Sequence, residues 1–376
     1  MKYRTMRFTG GEDRVSMLGF GCMRFPLKED GTIDEERSEQ MIGRALAAGI
    51  NYIDTAYPYH QETSEPFVGR VLEKYPREKY FLATKLPVWK VNSVEDAERI
   101  FEEQLKRLRV KYVDYYLLHA LGSERWANLK KQGIIPWAEE KKREGKIRHL
   151  GFSFHDKYEV FREILTYRNW DFCQIQYNYM DRGEQAGEKG YVLAEKMGVP
   201  VVIMEPVKGG RLAKLPDEAE DILRQTEPER SVTSWAMRWV ASHPNVKVVL
   251  SGMSTEEQLE DNIATFSDFK PLNQQEQEAL DQAVTVIRSR VKNGCTGCAY
   301  CMPCPFGVDI PGNFALWNNC AMYGNEQEAK KEYEAKREQK AAAEFCKKCG
   351  RCESQCPQGI HIRNDLEAAA GELGGN

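Results

Sequence analysis

The chain has 376 residues, of which 41% are hydrophobic and 29% are charged, a composition typical of a globular protein with room for one large and one smaller domain. The formal net charge is only −4, so neither nucleic acid nor an anionic membrane surface is expected as a partner. The first eighteen residues lack the apolar stretch of a signal peptide, and the longest apolar run (199–204) is too short to span a bilayer. A cytoplasmic protein is therefore predicted.

Short apolar segments alternate with longer amphipathic ones from Val15 to Met253. Segments with the composition of strands lie at 17–23, 50–56, 80–86, 113–120, 147–153, 171–177, 199–205 and 246–252. Helical patterns separate them, for example at 34–49, 93–108 and 231–243. Eight strand–helix units over about 240 residues predict a (β/α)8 TIM barrel. An open doubly wound sheet is the rival fold, but no G-x-G-x-x-G motif follows the first strand.

Four ionisable residues lie at or just after the ends of successive predicted strands: Asp54, Tyr59, Lys85 and His119. Catalytic groups of such barrels lie at the C-terminal ends of the strands, so these residues are catalytic candidates. Each one alone could be structural, as a helix cap at Asp54, a side chain reaching solvent at Lys85 or a hydrogen-bonded core histidine at His119. Their recurrence at successive strand ends favours one common site.

The segments around these residues, GINYIDTAYPYH, LATKL and YVDYYLLH, resemble the signature segments of the aldo–keto reductase family, and the resemblance extends from about Val15 to Phe266. It implies an NAD(P)-dependent oxidoreductase that acts on a small carbonyl or alcohol. Tyr59 would be the general acid in reduction and the base in oxidation. We expect Lys85 to lower the pKa of Tyr59, Asp54 to hold Lys85 in its charged form, and His119 to donate a hydrogen bond to the substrate oxygen.

The same resemblance implies a site for the nicotinamide carboxamide. Ser153 and Gln174 match two residues that relatives use there, whereas Phe154 stands where an asparagine is usual. Met204 stands where a ring often stacks on the nicotinamide. These two departures leave room for a reductase that does not use nicotinamide.

After the eighth strand, SGMSTEEQLEDN resembles the version of the adenosine-phosphate site found in potassium-channel β subunits. The residues that would surround the adenosine phosphate are Gly252, Ser254, Gln258 and Asn262. The lysine and arginine that many relatives use for a 2′-phosphate are missing, so the choice between NAD and NADP stays open. Lys208, Arg211 or the helix N-terminus near Thr255 could supply the missing positive charge. Alternatively, Gln258 and Asn262 only cap and solvate a helix.

Eight of the eleven cysteines form two cassettes, CTGCAYCMPCP (295–305) and CKKCGRCESQCP (346–357). C-x2-C-x2-C followed by Cys-Pro is the bacterial ferredoxin run, and two copies predict two [4Fe–4S] clusters. Paired C-x-x-C motifs can also bind zinc, although zinc sites rarely use three cysteines at this spacing plus Cys-Pro. The remaining cysteines, Cys22, Cys173 and Cys320, are expected to be packing residues.

In two-cluster ferredoxins the fourth cysteine of each run ligates the other cluster. On that pattern one cluster would be held by Cys295, Cys298, Cys301 and Cys356. The other would be held by Cys304, Cys346, Cys349 and Cys352. Two residues precede Cys304 where three precede Cys356, and this difference could alter the exchange of ligands.

Residues 273–291 are predicted to form the helix that closes the barrel, so the predicted domains are a barrel at 1–291 and a 4Fe-4S ferredoxin-type domain at 292–376. The second domain is expected to be rich in loops apart from a polar helical segment at 324–345. The whole chain resembles the iron–sulfur subgroup of the aldo–keto reductases.

Three functions remain open, because nicotinamide moves electrons in pairs and clusters move them singly. The first is a nicotinamide-dependent oxidoreductase whose clusters are structural or exchange electrons with a partner such as a ferredoxin. The second is a flavin- or ferredoxin-fed reductase, and the third is an iron–sulfur carrier or redox sensor with a non-catalytic barrel. The complete set of four catalytic candidates argues against the third.

Overall fold

The computed structural model describes residues 1–8 and 11–375, and the chain begins with an antiparallel hairpin of strands β1 (Tyr3–Phe8) and β2 (Gly11–Ser16). The sequence pattern did not predict this hairpin, because most of its side chains are polar. Met6 is the one fully buried side chain of β1, and it packs in one core cluster with Val15 of β2.

Eight parallel strands then form a closed barrel, in which each strand pairs with the next and the last pairs with the first. They are β3 (Leu18–Gly21), β4 (Tyr52–Asp54), β5 (Phe81–Leu86), β6 (Val113–Leu121), β7 (Ile147–Phe154), β8 (Phe172–Gln176), β9 (Val201–Met204) and β10 (Val246–Ser251). Every predicted strand segment coincides with one of them, although β6 and β7 each extend one residue further, and this confirms the (β/α)8 barrel. Their residues are buried on both faces, as parallel strands under a layer of helices require.

Helices lie between these strands in the sequence, and two more follow the last strand. They are α1 (Glu35–Ala47), α2 (Ser64–Leu72), α3 (Val94–Leu108), α4 (Ser123–Lys131), α5 (Ile134–Arg143), α6 (Tyr158–Tyr167), α7 (Gly187–Lys196), α8 (Asp217–Thr226), α9 (Val232–Ala241), α10 (Glu256–Ser267) and α11 (Gln274–Ser289). Side-chain caps fix several starts: Ser93 accepts a hydrogen bond from the backbone of α3, and Asn273 and Glu276 form a capping box on α11.

The chain divides into two compact units. The first comprises residues 1–209 and 233–272 and contains the barrel strands. The second comprises residues 210–232 and 273–376, so it includes α8 and α11 together with the cysteine cassettes. The predicted boundary near Val291 rests on a change of composition and stays a prediction.

The second unit is more helical than its sequence suggested. It contains α12 (Ile310–Tyr323), α13 (Glu326–Glu338) and α14 (Ile362–Gly374), and only α13 falls in the helical segment that was predicted. Phe314, Tyr333 and Leu366 of these helices form a shared core on which the cysteine loops pack. No helix among the described residues is both long and apolar enough to cross a membrane.

Candidate active site and cluster cavities

The side chain of Lys85, near the end of β5, joins the predicted catalytic residues. Its ammonium group donates to Asp54 Oδ1 at 2.7 Å, to the carbonyl oxygen of Thr55 at 2.8 Å and to the hydroxyl oxygen of Tyr59 at 3.2 Å. Lys85 is fully buried and Asp54 nearly so. The strand ends therefore bring the predicted lysine, aspartate and tyrosine into direct contact.

The fourth candidate, His119, lies at an irregularity of β6. The pairing of β6 with β7 shifts between Leu118 and Leu121, and Ala120 has a positive φ of 53°. Such bulges redirect side chains beside active sites. The His119 ring lies 6.1 Å from the Tyr59 ring, centroid to centroid, in an edge-on arrangement. The structure thus groups all four predicted residues.

Burial and pairing set the charge states of this group. Burial lowers the pKa of Lys85, but attraction to Asp54 and Tyr59 more than offsets it, so the pKa of Lys85 is raised. Burial raises the pKa of the Asp54 carboxyl, and Lys85 opposes that rise. Because a buried ion pair loses much if one partner is neutralised, we infer that the lysine stays charged beside an ionised aspartate.

Lys85 has the expected lowering effect on the pKa of Tyr59, but the opposing effect of burial is larger. Burial raises the pKa of Tyr59 above its ordinary value, and the lowering by Lys85 only partly offsets it. Lys85 therefore acts in the expected direction, although the net shift of the Tyr59 pKa is upward. Burial holds the pKa of His119 well below its usual range, and the nearby positive charge of Lys85 lowers it further. At neutral pH the site thus presents a protonated tyrosine and a neutral histidine.

The predicted nicotinamide residues line the same end of the barrel. Ser153 and Gln174 pair with each other across β7 and β8, and Gln174 donates to the sulfur of Met204 at 3.4 Å. Sulfur is a weak acceptor, and Gln174 Oε1 and His119 Nδ1 are buried without a protein partner. Buried polar atoms in proteins are normally paired, so these two atoms are candidates to meet a bound ligand.

Phe154 adds nothing polar to this site, because it packs edge-on against Phe161 of α6 with 5.2 Å between ring centroids. Of the aromatic residues in the neighbouring loops, Trp89 lies beside the site, 5.1 Å from the His119 ring. Trp126 and Tyr177 are buried instead among the side chains of other loops and helices. Of these three residues, Trp89 is therefore the one that lies beside the catalytic candidates.

The loop after β10 holds the residues predicted around an adenosine phosphate. The backbone N–H of Ser254 donates to Gln258 Oε1 at 2.8 Å, so Gln258 caps the start of α10. Asn262 is buried and donates to Ser251 Oγ at 3.1 Å, while its Oδ1 has no protein partner. Gln258 therefore acts as a helix cap in this structure, as one of the two interpretations of the sequence proposed. Asn262 Oδ1, in contrast, is still able to accept a hydrogen bond from a ligand.

Arg24, in the loop after β3, was not predicted as a site residue. Ser254 Oγ donates to the carbonyl oxygen of Arg24 at 2.8 Å. The Arg24 side chain crosses Gly252 so closely that an added Cβ there would lie 2.7 Å from its Cγ. An arginine therefore lies at the predicted phosphate site, although the segment after β10 contains no lysine or arginine of its own. A single exposed arginine in a loop leaves no sequence pattern by which it could have been recognised.

The two cations suggested to replace the missing charge are engaged elsewhere. Lys208 donates to both carboxylate oxygens of Asp181, at 2.6 and 2.7 Å. Arg211 belongs to the second compact unit, where it lies 3.9 Å from Glu332. Lys208 is in the first unit, but Asp181 balances its charge. Arg24 is therefore the better candidate for the cation at the predicted phosphate site.

The cassette cysteines line two cavities of the second unit. One is lined by Cys295, Cys298, Cys301 and Cys356, and the other by Cys301, Cys304, Cys346, Cys349 and Cys352. In each cavity three cysteines of one run meet the fourth cysteine of the other run. This grouping is the one expected if the two clusters exchange fourth ligands.

The two runs also share a backbone pattern. Left-handed φ values occur at Gly297 and Ala299 in the first run and at the corresponding Lys348 and Gly350 in the second. No three or more His, Cys, Asp or Glu side chains among the described residues converge on a position for one metal ion.

The three cysteines outside the cassettes behave as predicted. Cys22 and Cys173 are fully buried, and burial raises the pKa of both thiols. Cys320 is half-buried against the core of the second unit.

Comparison with known proteins agrees with this architecture. The aldo/keto reductase family matches residues 17–285, and the 4Fe-4S dicluster domain matches residues 294–361. The NADH-specific methylglyoxal reductase of Escherichia coli is 29% identical over 63% of this chain and 85% of its own length. The uncharacterised oxidoreductase YqkF of Bacillus subtilis is 28% identical, over 71% and 92% respectively.

Among solved structures, the holo form of aldo-keto reductase AKR11C1 from Bacillus halodurans superposes with a TM-score of 0.64. It is 29% identical in sequence, and the match covers 75% of this chain and 96% of that one. The chain belongs to the aldo/keto reductase family, as an oxidoreductase that carries a 4Fe-4S dicluster domain.

Proposed function

We propose that the barrel reduces a small carbonyl compound with NADH or NADPH and that Tyr59 delivers the proton. One observation carries this proposal: a buried lysine contacts both Asp54 and the hydroxyl oxygen of Tyr59 at the end of the barrel strands. A purely structural lysine gains little from such burial, whereas a proton donor whose anion must be stabilised needs this arrangement.

Reduction of a carbonyl requires a hydride on carbon and a proton on oxygen. A bound nicotinamide would supply the hydride. Tyr59 would give its hydroxyl proton to the carbonyl oxygen, and the ammonium of Lys85 would stabilise the tyrosinate that remains. His119, being neutral, would donate one N–H to the oxygen while negative charge develops there. Asp54 would act through Lys85, by keeping it charged and oriented.

The residues present fit a dinucleotide. Gln174 and His119 offer unpaired buried atoms near the tyrosine, Asn262 offers another, and Arg24 adds a positive charge at the phosphate end. The methylglyoxal reductase among the relatives is named as NADH-specific, which supports a nicotinamide and a small 2-oxoaldehyde as the first compounds to test.

For the second unit we propose two [4Fe–4S] clusters with exchanged fourth ligands, which pass single electrons to or from a partner protein. The composition of the two cavities supports this ligand set. We also propose a domain boundary near Val291 and keep the cytoplasmic location as a prediction. Flavin is the alternative cofactor of the barrel, and transfer of deuterium from labelled NADH or NADPH to the product distinguishes the two cofactors.

The decisive comparison is between the wild-type protein and Tyr59→Phe, both loaded with iron and sulfide and assayed without oxygen. The variant keeps the ring but loses the proton, so we expect reduction of methylglyoxal and related carbonyls to fall by about 100-fold or more. Binding of NADH or NADPH, followed by fluorescence, should change little. Unchanged reduction by the variant would contradict the proposal.

A further inference from the structure

We propose that the surface around the cavity of Cys304, Cys346, Cys349 and Cys352 docks a small acidic one-electron carrier protein. We call this surface the cationic cluster face and define it by Tyr300, Phe306, Lys347, Cys349 and Arg351. All five residues line that one cavity. The proposal rests on the proposed presence of clusters and adds which of the two meets the partner, and by what chemistry.

Charge distinguishes the two cassettes. Residues 294–308, which include the first cassette, contain no charged side chain. Residues 346–363, which include the second cassette, carry Lys347, Lys348, Arg351 and Arg363 against the single acid Glu353. This local excess of positive charge stands out in a chain whose net charge is −4. It attracts an acidic partner to one cavity and not to the other.

Two of these cations are free to meet a partner. Lys348 pairs with Glu367 and Arg363 pairs with Glu353, each at 2.8 Å. Lys347 and Arg351 are exposed and form no ion pair within the described part of the chain. Free charges beside paired ones are the arrangement expected of an interface in which the opposite charges belong to another molecule.

Apolar side chains complete the surface. Tyr300 is 68% exposed and Phe306 is 46% exposed, although both are large aromatic residues. Aromatic residues and arginine are enriched at protein interfaces. A cluster edge that only needed shielding from water would have buried these rings against the protein itself.

Exposure alone does not select one cluster for electron exchange. Each cavity has one exposed cysteine, Cys298 in the first and Cys349 in the second. Only Cys349 lies among free cations. On each encounter the reduced carrier would lose one electron and the centre held by Cys304, Cys346, Cys349 and Cys352 would gain it, with no proton moved.

The test measures binding separately from turnover. The probe is an acidic two-iron ferredoxin, and binding to the cluster-loaded protein is followed by calorimetry at several salt concentrations. The test variant is Lys347→Glu/Arg351→Glu, and its control is Lys131→Glu/Lys331→Glu. Both double variants change the net charge by the same amount. The control positions lie in α4 and α13, two helices that supply no residue to the cavity. Iron and sulfide content show that each variant still holds its clusters.

We expect the wild type to bind the ferredoxin with an affinity that falls as salt rises, and the cationic-face variant to bind at least 10-fold more weakly. The control variant should bind within about 2-fold of the wild type, because charges away from an interface contribute little. Equal weakening in both variants, equal binding in all three, or no binding of the probe would overturn the proposal. A variant whose cluster potential changes while its affinity does not would also overturn it. Carbonyl reduction with NADH is measured in parallel, so failure of docking is distinct from failure of the barrel chemistry.

Discussion

The Tyr59 hydroxyl lies under two opposing influences, because burial raises its pKa and the ammonium 3.2 Å away lowers it. Burial prevails, so Tyr59 keeps its proton through the neutral range. This state suits a proton donor. In the reverse reaction the same group would have to lose that proton before it could accept one from an alcohol.

A pH profile tests this balance. In the wild type we expect the kcat of carbonyl reduction to be steady near neutral pH and to fall only as pH rises through the Tyr59 pKa, above the ordinary tyrosine value of about 10. Lys85→Met removes the group that lowers this pKa, so the fall should move to still higher pH. The kcat at neutral pH should drop by about 100-fold. An alkaline limb that moves to lower pH in the variant would contradict this assignment.

Arg24 allows a second test at this scale. Loss of its charge from the predicted phosphate site should raise the Kd for NADH or NADPH by about 10-fold, the usual effect of removing a charge-assisted hydrogen bond. We expect Arg24→Ala to show this increase with kcat nearly unchanged. Lys28→Ala, an exposed cation of the same loop, serves as the control. Equal Kd values for the wild type and Arg24→Ala would remove Arg24 from the site.

Some residues of the candidate site could be predicted from the sequence and others could not. Asp54, Tyr59, Lys85 and His119 could be predicted because each follows an apolar strand, and strand ends meet at one end of a barrel. Lys208 looked like a free cation in the sequence, but its partner Asp181 lies 27 residues away, and only the fold brings them together. Arg24 was missed for the same reason, since its neighbours at Gly252 and Ser254 are distant in sequence.

Helices α2 and α3 approach each other closely at Gly69. A Cβ added there would lie 2.3 Å from the carbonyl oxygen of Arg107, which is backbone and cannot turn aside. We expect Gly69→Ala to lower the free energy of unfolding by about 1–3 kcal/mol, as overpacking does. Denaturant unfolding of the loaded protein measures this change.

The matched control is Gly43→Ala in α1. There the added Cβ would meet only the hydroxyl of Tyr75 at 2.9 Å, the mobile end of a side chain. Alanine is also the better helix former, so the control should be neutral or stabilising. If both variants lose the same stability, the close approach of α2 to α3 is not what requires Gly69.

Strands and helices of the barrel could be predicted because burial on both faces leaves continuous apolar runs, and amphipathic helices leave a regular spacing. The β1–β2 hairpin escaped prediction because little of its surface is buried. Helices α12 and α14 were also missed. Their apolar faces pack on the cysteine loops and on each other, and that partner is not visible in the local pattern.

In the second unit, each cysteine run contributes its fourth cysteine to the cavity of the other run. Cys356 joins the cavity of the first run and Cys304 joins that of the second. We therefore expect about eight iron atoms per wild-type chain. Cys356→Ser should disturb the cluster held by Cys295, Cys298 and Cys301, and Cys304→Ser should disturb the other.

Electron paramagnetic resonance of the reduced variants, together with iron analysis, separates these outcomes. To identify the affected cluster, each variant is compared with Cys298→Ser or Cys349→Ser, which lie in one cavity each. Cys356→Ser should give the same spectrum as Cys298→Ser. A spectrum matching that of Cys349→Ser would mean that each run keeps its own fourth cysteine.

The proposed function requires that a hydride pass directly from nicotinamide to the carbonyl carbon. It is tested by supplying NADH or NADPH with deuterium at the transferred position, anaerobically, and by determining the mass of the alcohol product. We predict an alcohol with one deuterium on the former carbonyl carbon, formed by the wild type and strongly reduced in amount in Tyr59→Phe. An alcohol free of deuterium would contradict direct hydride transfer, because the electrons would then have reached the carbonyl through a flavin or the clusters.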